Sequence, residues 1–190
     1  MATIDCGISI SCSDEAHIGG VKRVFVINRD ALADTAFNKV SGEHAYDNYT
    51  TVGSSATATN RWHEIELYDE TGVFTGTGEL GDAGNSVISN EITGFIPVME
   101  KVKALCLNKI KDSCKVVALV QTMEGQAFVI GYDETIGKKA ALRAQISLES
   151  GTAFTDRQGY TITMTGTQFD VPYEYEGSII VTDGSTITFS

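Results

Sequence analysis

The chain has 190 residues, 42% hydrophobic and 21% charged, with a formal net charge of −11. That length fits one domain with a sizeable core, and no apolar run approaches the roughly 20 residues of a membrane helix. The acidity argues against tight nucleic-acid binding, because that affinity comes largely from cations meeting phosphates.

At the N-terminus, Met1 is followed by Ala2-Thr3-Ile4-Asp5, with neither a basic start nor an apolar core. No signal peptide is expected, and folding in a cytoplasm is. Cys6 and Cys12, like Cys106 and Cys114, lack zinc-knuckle spacing, and His17, His44 and His63 are scattered. Reduced, partly buried thiols and no metal site are expected. Val21 to Asn28, VKRVFVIN, follows two glycines and reads as a strand ending in the polar cluster Asn28-Arg29-Asp30. Residues 30–60 are polar and aperiodic, and a loop that long needs a reason. It is either a surface loop or an arm ordered against a neighbouring subunit; Tyr46 and Tyr49 give an arm something to bury.

Trp62 to Tyr68, WHEIELY, alternates. His63, Ile65 and Leu67 share one face; Trp62, Glu64, Glu66 and Tyr68 share the other. Two glutamates about 7 Å apart on a strand have the spacing of a catalytic pair, but a solvated strand face is far commoner. Residues 69–94 read as a second polar, glycine-rich loop. Its G-x-G-x-x-G at Gly76, Gly78 and Gly81 runs into Asp82-Ala83-Gly84-Asn85, where a dinucleotide loop would open a helix. A flexible hairpin tip or interface loop describes it better.

Pro97 is expected to open the one helix, over about Val98 to Ile110. Met99, Val102, Cys106 and Ile110, with Val98 and Leu105 beside them, form its apolar stripe. Lys101, Lys103, Lys109 and Lys111 flank it, as a solvated face or as an interface with the acidic surface of an adjacent copy. Lys115 to Met123 and Gln126 to Tyr132 read as a hairpin turning on Glu124-Gly125, its first strand apolar on both faces and therefore central. Asp133 to Lys139 connects to a strand at Ala140 to Glu149. Tyr160, Ile162 and Met164 alternate with Thr161, Thr163 and Thr165 in the strand that follows, after a turn at Asp156 to Gly159. Phe169 to Tyr175, Ser178 to Val181 and Thr186 to Phe189 complete the strands; Tyr173 and Tyr175 share one face, Glu174 and Glu176 the other. One helix among eight to ten strands predicts a mainly β (α+β) single domain over residues 1–190, a β-sandwich or barrel with a flanking amphipathic helix and long loops or arms.

No G-x-S-x-G elbow, H-E-x-x-H, Walker loop or C-x-x-C is present. The chain is not expected to be an enzyme, nor to need a cofactor.

Gly131-Tyr132-Asp133 with Gly137, followed by SGTAFTDRQGYTITMTG over Ser150–Gly166, resembles virion structural proteins of tailed phages infecting gut Bacteroidetes, siphophage-like and crAss-like. The resemblance covers about residues 95–170. It implies a tail-tube-type fold and a ring-forming subunit of the tail tube or head–tail connector, located in the virion and assembled in the host cytoplasm. The implied partners are identical copies in a six- or twelve-fold ring, other tail or connector proteins, and DNA only as passing cargo. An acidic bore repels DNA without holding it; strand alternation makes Glu64, Glu66, Glu174 and Glu176 the candidates to line it. The alternative is a decoration or fibre-type β-sandwich binding a host surface or carbohydrate, for which Trp62 with Tyr68 is the aromatic hint.

Overall fold

A computed structural model describes residues 19–52, 60–68, 70–80, 86–152 and 156–189. Cys6, Cys12, His17, Gly81 and the Asp82–Asn85 stretch lie outside them. In chain order the elements are β1 (Val21–Asn28), β2 (Leu32–Lys39), β3 (Ala45–Thr51), β4 (His63–Ile65), β5 (Val73–Leu80), β6 (Ser86–Pro97) and α1 (Lys101–Ser113). β7 (Val116–Thr122), β8 (Ala127–Ile130), β9 (Arg143–Glu149), β10 (Gly159–Gln168), β11 (Tyr173–Tyr175), β12 (Ser178–Ile180) and β13 (Thr186–Thr188) follow. The protein is mainly β with one α-helix among the described residues.

Two sheets and a hairpin form layers. The large sheet has seven strands in the order β2-β3-β11-β8-β7-β1-β4; the small one has four, β5-β6-β10-β9; β12 and β13 pair alone. β1 and β7 lie side by side in the large sheet and are buried on both faces. Phe25, Ile27, Val117 and Leu119 join Trp62, Tyr175, Ile179 and Phe189 in one core. Val24, Val26, Val116, Ala118 and Val120 join Ile92, Ile162, Met164 and Leu107 of α1 in the other. The large sheet is therefore a middle layer, with β12–β13 on one side and the small sheet and α1 on the other.

Over residues 30–52 the stretch expected as a long loop or arm is a hairpin of β2 and β3; residues 53–59 lie outside the described ones. Leu32, Ala36, Phe37 and Tyr46 are buried, but two register irregularities between β2 and β3 break the period of two that would have revealed them. Residues 69–94 likewise hold the β5–β6 hairpin. β5 exposes seven of its eight residues, so its sequence carries no buried face to read. Gly76 and Gly78 sit inside that strand, and the next element among the described residues is β6, a strand.

Helix α1 begins three residues later than expected. Pro97 ends β6, Val98 turns with φ 66°, and Glu100 stands at the N-cap position without a side-chain capping bond. Leu107 is its buried residue, flanked by half-buried Met99, Ala104 and Ile110. Val102 and Cys106 of the expected stripe face outward. Leu107, with Ala104 beside it, joins the core shared with β1, β6, β7 and β10 instead, and α1 lies against β9.

The motif residues are architectural. Gly131 has φ 82°, and a Cβ there would lie 2.8 Å from Leu142 Cγ and 2.9 Å from the Val116 carbonyl oxygen. Asp133, 5% exposed, accepts the N–H groups of Thr135 (2.7 Å), Ile136 (3.2 Å) and Phe169 (2.8 Å). In the turn expected at Asp156 to Gly159, Asp156 accepts Thr152 N–H at 2.7 Å. Gly159 is the first residue of β10 with no left-handed φ; a side chain there would collide with the Ile96 carbonyl and the Phe95 ring.

Replacing Gly131 by Ala combines a left-handed backbone penalty with a packed contact, and is expected to cost about 2–4 kcal/mol in urea denaturation. A variant as stable as the parent would show that the junction relaxes freely.

Candidate assembly site

The exposed face of the small sheet is built by strict alternation. β10 turns Tyr160, Ile162 and Met164 into the core and Thr161, Thr163, Thr165 and Thr167 outward. Register then fixes the outward rows: Val73–Thr93–Thr163–Gln145, Thr75–Glu91–Thr165–Arg143, and Thr77–Ser89–Thr167. The result is a hydroxyl field whose charged members are Glu79, Glu91, Glu149 and Arg143. Its inner rows, such as Phe74–Ile92–Met164–Ala144, bury apolar side chains against the large sheet.

The edges of the two sheets are treated differently. On β2, the outermost strand of the large sheet, side chains occupy the backbone groups. Arg29, fully buried, donates through Nη1 to the Leu32 and Ala33 carbonyls at 3.1 Å each. The Tyr132 hydroxyl accepts Ala36 N–H at 2.8 Å and donates to the Asp34 carbonyl at 3.1 Å, and the Arg29 guanidinium lies 5.1 Å from the Tyr132 ring centre. Burial raises the Tyr132 pKa, so the hydroxyl stays protonated and able to donate. At the opposite margin β4 is only three residues long. Beside it, Trp62 N–H donates to Ile180 and the Trp62 carbonyl accepts from Thr182, each at 3.0 Å. Within the small sheet β5 and β9 each pair with a strand on one side only; just before β9, Leu142 exchanges backbone hydrogen bonds with Val116 at 2.8 and 3.0 Å, α1 packs against β9, and just before β5 the Gly72 carbonyl accepts Val21 N–H at 3.2 Å.

The sequence-predicted acids do not lie on the hydroxyl field. Glu64 and Glu66 are at the β4 margin of the large sheet, where Glu64 accepts from Arg23 Nε and Nη2 at 2.6 and 2.9 Å. That pairing holds the Arg23 guanidinium even more firmly protonated than usual. Glu174 and Glu176 are at β11, in the interior of the same sheet's strand order, Glu174 half-buried and Glu176 exposed. The two pairs are not brought together. Of the helix lysines, Lys103 turns inward and donates to the Pro97 carbonyl at 2.8 Å, and Lys111 lies 3.5 Å from Asp112. Lys101 and Lys109 are exposed and make no salt bridge among the described residues.

What the fold does bring together is α1 and β4. Between them lies a groove of about 550 Å³, lined by Ile65, Ile96, Leu107 and Ile110, with His63, Glu66, Lys103 and Lys109 at its rim. Burial and the Lys109 charge both lower the His63 pKa. Tyr68 is 47% exposed and packs edge-on against Phe95, but Trp62 is fully buried, so the two offer no shared aromatic platform. No group of three or more metal-capable side chains occurs among the described residues, and none of their helices is long and apolar enough to cross a membrane.

The hydroxyl field escaped sequence reading because half of it lies in residues 69–94. The signal was present in β6, where Ile92, Gly94 and Ile96 alternate with Glu91, Thr93 and Phe95. Comparison with family models, curated proteins and solved structures found no match for the chain.

The lowered His63 pKa fixes a pH dependence. The unfolded chain takes up this proton first, near pH 6.5, so stability falls as pH drops through that value toward the folded pKa. His63→Gln is expected to flatten this segment of the stability–pH curve in denaturant titrations between pH 7 and 5. An unchanged slope would assign the effect to other groups.

Proposed function

We propose that this protein is a virion structural subunit of a tailed phage, forming a ring of the tail tube or head–tail connector through which DNA passes. The observation that carries the reading is the small sheet, whose outer strands β5 and β9 carry no further strand, while the margins of the large sheet are blunted. An open edge is a row of unpaired N–H and C=O groups that natural proteins cover, shorten or pair. β5, β6, β10 and β9 alternate in direction, so β9 of one copy beside β5 of the next continues the antiparallel order without a break. The two margins are different surfaces, and a contact between them is heterologous: it closes into a ring or runs on as a filament.

The size of such a ring supports a conduit. Six copies supply about 24 strands, and at about 4.8 Å per strand with a tilt near 40° the backbone circle is about 48 Å across. Side chains narrow this by roughly 10 Å, leaving a bore wider than a DNA duplex. Three copies would give a circle about half as wide, closed to DNA once lined. The hydroxyl field faces away from the large sheet and is suited to the bore. Its side chains are short, and its acids outnumber its one arginine, so it repels phosphate. This lining replaces Glu64, Glu66, Glu174 and Glu176 as the preferred candidate surface. Burial of Trp62 leaves the carbohydrate-binding alternative without its aromatic hint.

Negative-stain imaging of the concentrated protein is expected to show rings or tubes with an open channel. Assembled Glu91→Lys/Thr165→Lys particles, altered on the two central strands only, are expected to retain double-stranded DNA at low salt, where wild-type particles release it. Uniform monomers at every concentration would contradict the reading.

A further inference from the structure

We propose that the groove between α1 and β4 seats this chain's own residues Ile8-Ser9-Ile10-Ser11-Cys12, extended along it with Ile8, Ile10 and Cys12 turned to its apolar floor. The occupant precedes β1 and lies outside the described residues. The contact is made within one chain, and it stands or falls independently of the ring reading.

The groove has the shape of a strand-sized slot. α1 lines it from Lys103 to Ser113, about 15 Å at 1.5 Å per residue. Four or five extended residues, at about 3.3 Å each, fill that length. Its rim mixes Lys103 and Lys109 with Glu64 and Glu66, so it selects no partner of one charge, and an uncharged occupant loses the least on entering. Beside it β4 is the last strand of its sheet. Just before β4, Trp62 gives its N–H and C=O to Ile180 and Thr182, and strand alternation points those of Glu64 and Glu66 to the same side. Among the described residues no backbone group meets them there.

Pattern and reach select the occupant. Ile4, Cys6, Ile8, Ile10 and Cys12 alternate with Asp5, Gly7, Ser9 and Ser11, the period of a strand with one face to bury. Ile8 to Cys12 carry no charge. Ile65 of β4 stands opposite Val24, four residues past Gly20, and the six residues Ser13 to Ile18 join Cys12 to Gly19. Extended, that link spans up to about 24 Å. It has to cover roughly 13 Å along β1 and roughly 10 Å across two strand spacings. A segment tethered so closely acts at an effective concentration on the order of millimolar, ahead of the same segment from a second copy. Seated there, it covers a margin of the large sheet that is otherwise only short.

The test uses the full chain, diluted to monomer, and two exposed thiols: Cys106 on the groove wall and Cys114 outside it. Cys106 is expected to react with N-ethylmaleimide at least about tenfold faster in Ile8→Ser/Ile10→Ser than in the wild type, because two apolar side chains no longer hold the segment in place. Cys114 is expected to react alike in both. Ser9→Asn/Ser11→Asn, altered on the opposite face, is expected to keep the wild-type Cys106 rate. Copper–phenanthroline oxidation is expected to join Cys12 to Cys106 within one chain, read by peptide mapping of the monomer band. Equal Cys106 rates in the wild type and Ile8→Ser/Ile10→Ser would overturn the proposal. A Cys12–Cys106 link confined to the dimer band would overturn it too, giving the groove to a second copy's segment, as would shielding of Cys106 that arises only on assembly.

Discussion

A sheet edge left open in water is a template for another strand, and the way each edge is handled organises this protein. On β2 a buried arginine and a buried tyrosine hydroxyl occupy four backbone groups of the stretch Leu32–Ala36, where pairing with β3 is irregular. On β4 the strand is cut to three residues and its neighbour Trp62 is tied to the β12 end. These devices are costly: Arg29 is a fully buried cation, and its Nε and Nη2 lack hydrogen-bond partners. A buried charge thus serves one margin of the large sheet, whereas β5 and β9 carry no further strand; in the proposed ring another copy completes those two margins.

The layers allow this separation of roles. β1 and β7 contribute nine apolar residues that are each at most 3% exposed, Val24 to Ile27 and Val116 to Val120. Burial of such side chains is worth roughly 1.5–3 kcal/mol each before conformational entropy is charged against it. With that core in the middle layer, the small sheet needs only its inner face for stability, and its outer face is free to be polar. The threonines of β10 show the division: the same strand that buries Tyr160, Ile162 and Met164 presents hydroxyls to the other side.

How much of this was legible depended on whether an element had a buried face with an unbroken period. β1, the β7–β8 hairpin and β10 were readable because their alternation or double burial is uninterrupted. β2 and β3 were not, since bulges shift their register, and β5 was not, since a strand exposed nearly throughout carries no pattern. The helix was found but rotated: an apolar stripe through Val102 and Cys106 exists in the sequence, yet Ala104 and Leu107 make the tighter fit. Glutamates in alternation looked like a lining, but alternation alone does not say which of two sheets they belong to, and Arg23 claims Glu64. The edge caps were invisible for a different reason. Arg29 and Tyr132 are 103 residues apart in sequence and meet only in the folded chain.

Hydrogen–deuterium exchange on free and assembled protein tests the central claim most directly. Amides of β5 and β9 are expected to exchange quickly in the free chain and to become protected on assembly, while those of β2 and β4 exchange alike in both states. Protection appearing at β2 or β4, with β5 and β9 unchanged, would contradict it.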